Sequence, residues 1–90
     1  MKIVFVNTTK SGIPDGWWFG EPDDARKCDY LVEIRNKKPV AVYTFSKVSD
    51  KRVDGRFSFI GLEKVTTSII KTEIIQRITI PTNVLDYQDI

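Results

Sequence analysis

The sequence predicts a mainly β fold of the α+β class, with five to six strands and one short helix in a single domain spanning residues 1–90. Two observations carry this expectation. Runs of β-branched and aromatic residues recur along the chain, each bounded by Gly, Pro, Asn or Asp, the pattern of short strands joined by turns. The composition, 41% hydrophobic with 11% aromatic, is too apolar for a disordered chain and suits one modest core in so small a protein.

Residues 2–6, KIVFV, are apolar on both alternating faces from Ile3 onward and read as a first strand covered on both sides. Residues 7–20 break all periodicity. Gly12, Pro14, Gly16 and Gly20 punctuate a loop of a length at which loops tend to be functional, and Pro14-Asp15-Gly16 marks a turn within it. Residues 21–27, EPDDARK, suit a short helix, with proline in the first turn, acids at its positive end and Arg26 and Lys27 at the other. In residues 29–35, Tyr30, Val32 and Ile34 form an apolar face against a largely polar one. Asn36-Lys37-Lys38-Pro39 makes a turn into PVAVYTF, apolar on both faces and expected as a central strand. Asp54-Gly55 is the strongest hairpin signal, after which Phe57 and Phe59 face inward and Arg56 and Ser58 outward. Residues 65–80 fit a strand by even spacing and by their Thr and Ile density. Ile70, Ile74 and Ile78 also fit a helical stripe, but no capping box supports a helix, so two strands or one bent strand ending at Pro81 are expected. Residues 81–90 are polar and acidic and read as a loosely attached tail.

The composition excludes much chemistry. There is no histidine and only one cysteine, which removes Ser-His and Cys-His nucleophile systems and His/Cys zinc sites. Cys28 alone forms no internal disulfide, which fits a reducing, cytoplasmic setting. No apolar run approaches the roughly 18 residues of a membrane span. The acids Glu21, Asp23 and Asp24 could hold Mg²⁺, but complementing the helix dipole accounts for them more simply, so neither metal nor cofactor is expected. Asp15, Glu21, Asp23 and Asp24 with Lys27 are the candidates for an enzyme, and by elimination a non-catalytic binding protein is the better reading.

Charge is unevenly placed. Residues 15–33 hold six acids and two bases, a net −4, whereas residues 35–56 hold seven bases and two acids, a net +5. Such asymmetry marks either a face for a polyanion or an ordinary solvated surface. Trp17 and Trp18 are adjacent, so in extended chain they face opposite ways: one plugs inward, and the other is either open to stack on a flat ligand such as a base or, with its neighbour, part of the core or lid packing.

The order of features from Trp17 to Gly61 resembles small domains of the PUA-like superfamily, the group that includes ASCH and EVE domains. An aromatic loop (Trp17, Trp18) leads into a helix carrying Ala25-Arg26. The strands Tyr30–Ile34 and Val40–Tyr43 follow, then the hairpin and Arg56-Phe57-x-Phe59-x-Gly61. The resemblance implies a compact β-barrel with the helix near one opening, and recognition of RNA or of a modified or flipped base in a cleft between them. It further implies that Trp17 or Trp18 walls the pocket, Arg26 and Lys27 contact phosphate, and Tyr43 lines the cleft. With the basic hairpins added, the expected nucleic-acid contacts are Trp17, Trp18, Arg26, Lys27, Lys37, Lys38, Tyr43, Lys47, Lys51, Arg52 and Arg56. The partner expected is RNA or modified DNA. The alternative is a larger protein on which the chain docks as an inhibitor or adaptor, with an exposed tryptophan as its hot spot.

Overall fold

The computed structural model describes residues 1–90. In chain order its elements are β1 (Lys2–Asn7), β2 (Trp18–Phe19), α1 (Pro22–Arg26), β3 (Tyr30–Arg35), β4 (Lys38–Thr44), β5 (Lys47–Val48), β6 (Arg56–Phe57), β7 (Phe59–Ile60), β8 (Glu63–Lys64), α2 (Ser68–Arg77) and β9 (Leu85–Asp89). No helix is long and apolar enough to cross a membrane.

β1 is the strand on which the rest is assembled. Its four apolar residues, Ile3 to Val6, are each at most 1% exposed, as a strand apolar on both faces requires. It pairs in parallel with β3, Ile3 opposite Tyr30 through Asn7 opposite Ile34, and antiparallel with β9, Lys2 opposite Asp89 through Val6 opposite Leu85. The main sheet runs β8-β4-β3-β1-β9, and two antiparallel ribbons, β2–β6 and β5–β7, stand apart from it.

Period-two alternation divides the core into two layers. Val4, Val6 and Leu31 point to one side, where they meet Trp18, Ala25, Val48, Phe57 and Phe59 from the ribbons and α1. Ile3, Phe5, Val32, Ile34 and Val42 point to the other, where Ile74 of α2 lies fully buried among them. The fold is mainly β, as expected, but the barrel is not closed. At one edge β8 pairs over two residues only and the chain after it turns helical, and at the other edge lies β9, so the sheet stays open.

Residues 65–80 therefore correct the expectation of strands. α2 is a ten-residue helix in which the four-residue spacing of Ile70 and Ile74, continued by Ile78 just past its end, prevails over β-propensity, since that stripe packs against the sheet. Thr67 precedes it without a side-chain cap bond, so packing rather than capping holds it. Residues 85–89 differ likewise from a loose tail: they form the edge strand β9 beside β1. In β3, Leu31 and Glu33 are buried as well as Val32 and Ile34, because the ribbons cover the face expected to be polar. Ser58, expected outward, is also buried, its amide accepted by Ser49 Oγ at 2.9 Å where the chain passes from β6 to β7. β4 has neighbours on both sides, yet Val40 stays exposed at a bulge: the β3–β4 register shifts between Glu33 and Ile34, so Ala41 and Pro39 have partners and Val40 has none.

The β3–β4 turn is tighter than Asn36–Pro39. Asn36 and Lys37 alone form it, with φ of 52° and 64°, the left-handed pair of a type I′ hairpin, and Lys38 already belongs to β4. At the end of β7, Gly61 has φ 71°, and a Cβ there would lie 2.2 Å from Ser46 Oγ, so only glycine fits.

Candidate functional site

The tryptophan loop and the Asp54-Gly55 turn meet through the β2–β6 ribbon, where Trp18 lies opposite Phe57 and Phe19 opposite Arg56. Alternation decides the rest. Trp18 goes into the core at 5% exposure, its Nε1 donating to the Pro14 carbonyl at 3.3 Å, while Trp17 and Phe19 remain on the outer side at 43% and 61% exposure. The turn is closed by Arg52 N–H to Arg56 O at 2.7 Å and Gly55 N–H to Arg52 O at 2.9 Å. It thereby sets two guanidinium groups over the two exposed rings. Arg52 lies 3.8 Å from the Trp17 centroid and Arg56 lies 4.2 Å from that of Phe19. Asp54 steadies the turn by accepting from Arg52 at 2.7 Å and from the Arg56 amide at 3.1 Å. The Arg52 hydrogen bond holds the Asp54 carboxyl below the usual range. Arg56 Nε is buried without a hydrogen-bond partner.

The acidic and basic blocks of the sequence partly neutralise each other across space. Arg26 bridges Asp23 at 2.6 Å and Asp50 at 3.1 Å, and donates to the carbonyls of Val48 and Ser49, so it fastens α1 to β5. Lys51 pairs with Glu21. These contacts occupy two cations expected to bind phosphate, and they also cancel acids that would repel one.

Beneath the loop, Glu33 carries a fully bonded buried carboxylate. Its Oε2 accepts from Thr8 Oγ1 at 2.6 Å and Arg35 at 2.5 Å, and its Oε1 accepts from the Tyr43 hydroxyl at 3.1 Å. Arg35 also donates to the Gly12 carbonyl at 3.0 Å, which ties the loop to β3. Desolvating a carboxylate costs several kcal/mol unless such donors replace water, and here three do. Burial, then the hydrogen bond to Glu33 and its charge, raise the Tyr43 pKa. Tyr43 is thus a strut of this cluster.

A cleft of about 360 Å³ lies between α1 and β9, where Lys2 and Lys27 face Asp24 and Asp89, with Cys28 and Tyr87 beside them. Burial pushes the Cys28 thiol up to about 11 and the Tyr87 phenol up to about 12, so both are protonated at neutral pH and the thiol is no ready nucleophile. Nowhere do three carboxylate or thiol side chains converge as a cation site would require.

Of the residues expected at a site, the fold brings together Trp17, Arg52 and Arg56. Trp18 is core, Arg26 and Lys51 are cross-links, and Tyr43 serves Glu33. Lys27 lines the α1–β9 cleft, and Lys37 sits in the left-handed β3–β4 turn. Lys38 and Lys47 begin β4 and β5, exposed. Phe19 was missed, although it shares the parity of Trp17, the signal that would have found it. The chain matches no family model, no curated protein and no solved structure.

Proposed function

We propose that the chain is a non-catalytic nucleic-acid-binding module of the PUA-like kind, taking a base of RNA or modified DNA at Trp17 and Phe19 and backbone phosphate at Arg56, with Arg52 held over Trp17 by its pair with Asp54. One observation carries this reading: two exposed aromatic rings, each under a guanidinium within 4.2 Å, are held side by side by a single closed turn. Aromatic planes accept any base by stacking, while guanidinium groups meet phosphate oxygens with paired donors. The family likeness rests on the order of elements in residues 17–61, with an open sheet in place of a barrel.

Titration with short single-stranded RNA and DNA across a salt series tests it, with tryptophan emission as the readout. With about one to two phosphate contacts, the log–log salt slope is expected near −1. Trp17→Ala should weaken binding by about 1–3 kcal/mol and leave stability within about 0.5 kcal/mol. No binding at low salt, or a Trp17→Ala variant that binds like the parent, refutes the proposal. A second reading, docking on a larger protein, is favoured by the exposed apolar Val53 and Phe19 on the same turn and ribbon. A stoichiometric protein partner that survives nuclease treatment would decide for it.

A further inference from the structure

The surface clefts differ in charge. The one between α1 and β9 sets two lysines against two aspartates. Two others, of about 580 and 420 Å³, share Asn7 and Lys37 beside the carboxyl ends of β1 and β3. In a chain with 12 Asp and Glu residues, no acidic side chain lines either of them. β1 and β3 are parallel, so both end on the same side of the sheet, where the Asn36 amide donates to Thr9 Oγ1 and ties the turn after β3 to the loop after β1.

The rim of the larger cleft is rich in donors. Asn7 Oδ1 accepts the Thr9 amide at 3.0 Å, and Thr9 Oγ1 accepts the Asn36 amide at 2.9 Å, so internal bonds occupy these acceptors. Asn7 Nδ2, the Thr9 hydroxyl proton and the two ammonium groups of Lys10 and Lys37 are left as donors. Neither lysine enters any of the seven ion pairs of the chain. The adjoining cleft contributes an apolar wall from Ile34, Ile80 and Pro81.

We propose that the joined cleft is a nucleotide-phosphate site. The phosphate lies between Lys10 and Lys37, with Asn7 and Thr9 donating to its oxygens, and the sugar or base rests against Ile80 and Pro81. The chemistry is that of phosphate recognition: clustered donors, two cations and no competing carboxylate. The site uses none of Trp17, Phe19, Arg52 or Arg56 and stands independently of the surface they form.

The test is a titration of ¹⁵N-labelled protein with AMP, adenosine, inorganic phosphate, and one oligonucleotide with either a 5′-phosphate or a 5′-hydroxyl. AMP should shift the amides of Thr9, Lys10, Asn36 and Lys37 saturably, inorganic phosphate should shift the same amides more weakly, and adenosine should leave them in place. Lys10→Gln with Lys37→Gln should lower the affinity for AMP about tenfold or more, by removing both cations, while Trp17→Ala leaves it unchanged. If the 5′-phosphorylated strand binds more tightly than both AMP and its hydroxyl twin, the phosphate is that of a strand end. AMP binding more tightly than either strand assigns the site to a free nucleotide. Amides unmoved by AMP, equal shifts with adenosine, or full affinity in the double variant overturns the proposal. Failure of Trp17→Ala to weaken oligonucleotide binding would instead count against the stacking surface alone.

Discussion

The two faces of the central sheet are closed in different ways. On one, a single helix lays Ile74 and its flanking isoleucines over Ile3, Phe5, Val32, Ile34 and Val42. On the other, four two-residue strands and a five-residue helix are gathered around Phe57 and Phe59, cross-linked by Arg26, Lys51 and the Glu33 cluster. The helical face is continuous and apolar. The ribbon face is assembled from short pieces, and it displays Trp17, Phe19 and the two stacked arginines. Short pieces leave side chains free at their turns, whereas a helix laid flat on a sheet spends its apolar stripe on packing. The surface proposed for recognition lies on the less regular cover.

Removing one anchor from each face is the sharpest way to break this comparison. Phe57→Ala is expected to cost about 3–5 kcal/mol and Ile74→Ala about 2–5 kcal/mol, because each leaves a cavity in a closed layer. The two should separate in the emission of Trp17: Phe57→Ala loosens the ribbon that carries the Arg52 stack, and Ile74→Ala leaves it intact. Equal loss of that signal in both variants, measured by denaturant titration, would show that the faces are not independent.

A smaller effect is expected at Tyr43. Tyr43→Phe removes one of three donors to Glu33 and should cost about 1 kcal/mol, read from the urea midpoint at unchanged slope. Glu33→Gln should cost more, since it removes the charge that Arg35 answers.

A further effect is alkaline. Cys28 and Tyr87 have folded pKa values raised from 9.0 to about 11 and from 10.0 to about 12, so the folded state favours their protonated forms. Their contribution is fully present below about pH 9 and is lost as pH rises through the window up to about 12. Tyr87 is 37% exposed, so solvent mutes its share. Melting temperatures should fall across this range, and Cys28→Ala should flatten the lower half of the decline.

Much of the scaffold could be read from residues alone. KIVFV reads as a strand covered on both sides, and the parity of Trp17 and Trp18 set the two rings on opposite faces, while only the fold shows Trp18 buried and Trp17 exposed. The rest was hidden for identifiable reasons. Residues 66–80 carry the Thr and Ile of a strand without a cap, and only the waiting face of Ile3 and Phe5 makes their four-residue stripe helical. Leu85–Asp89 holds two aspartates and gives no sign that β1 lies beside it. The pairing of Arg26 with Asp50 and of Lys51 with Glu21 joins blocks that look opposed in sequence but are complementary in space. At the site, Trp17, Arg52 and Arg56 were legible as types, while Phe19 and the company that Lys10 keeps with Lys37 depended on the fold.

The position of β1 also bears on how the sheet is assembled. One of its neighbours, β3, follows after a single loop and a short helix, while the other, β9, comes from the far end of the chain. The loop that must close before β9 can dock is about three times longer, at an added entropic cost of about 1 kcal/mol. β1 lies between β3 and the edge strand β9, and its second edge stays open until β9 docks. Half of its hydrogen bonding is therefore local and half is as non-local as the chain permits, a division set by topology alone.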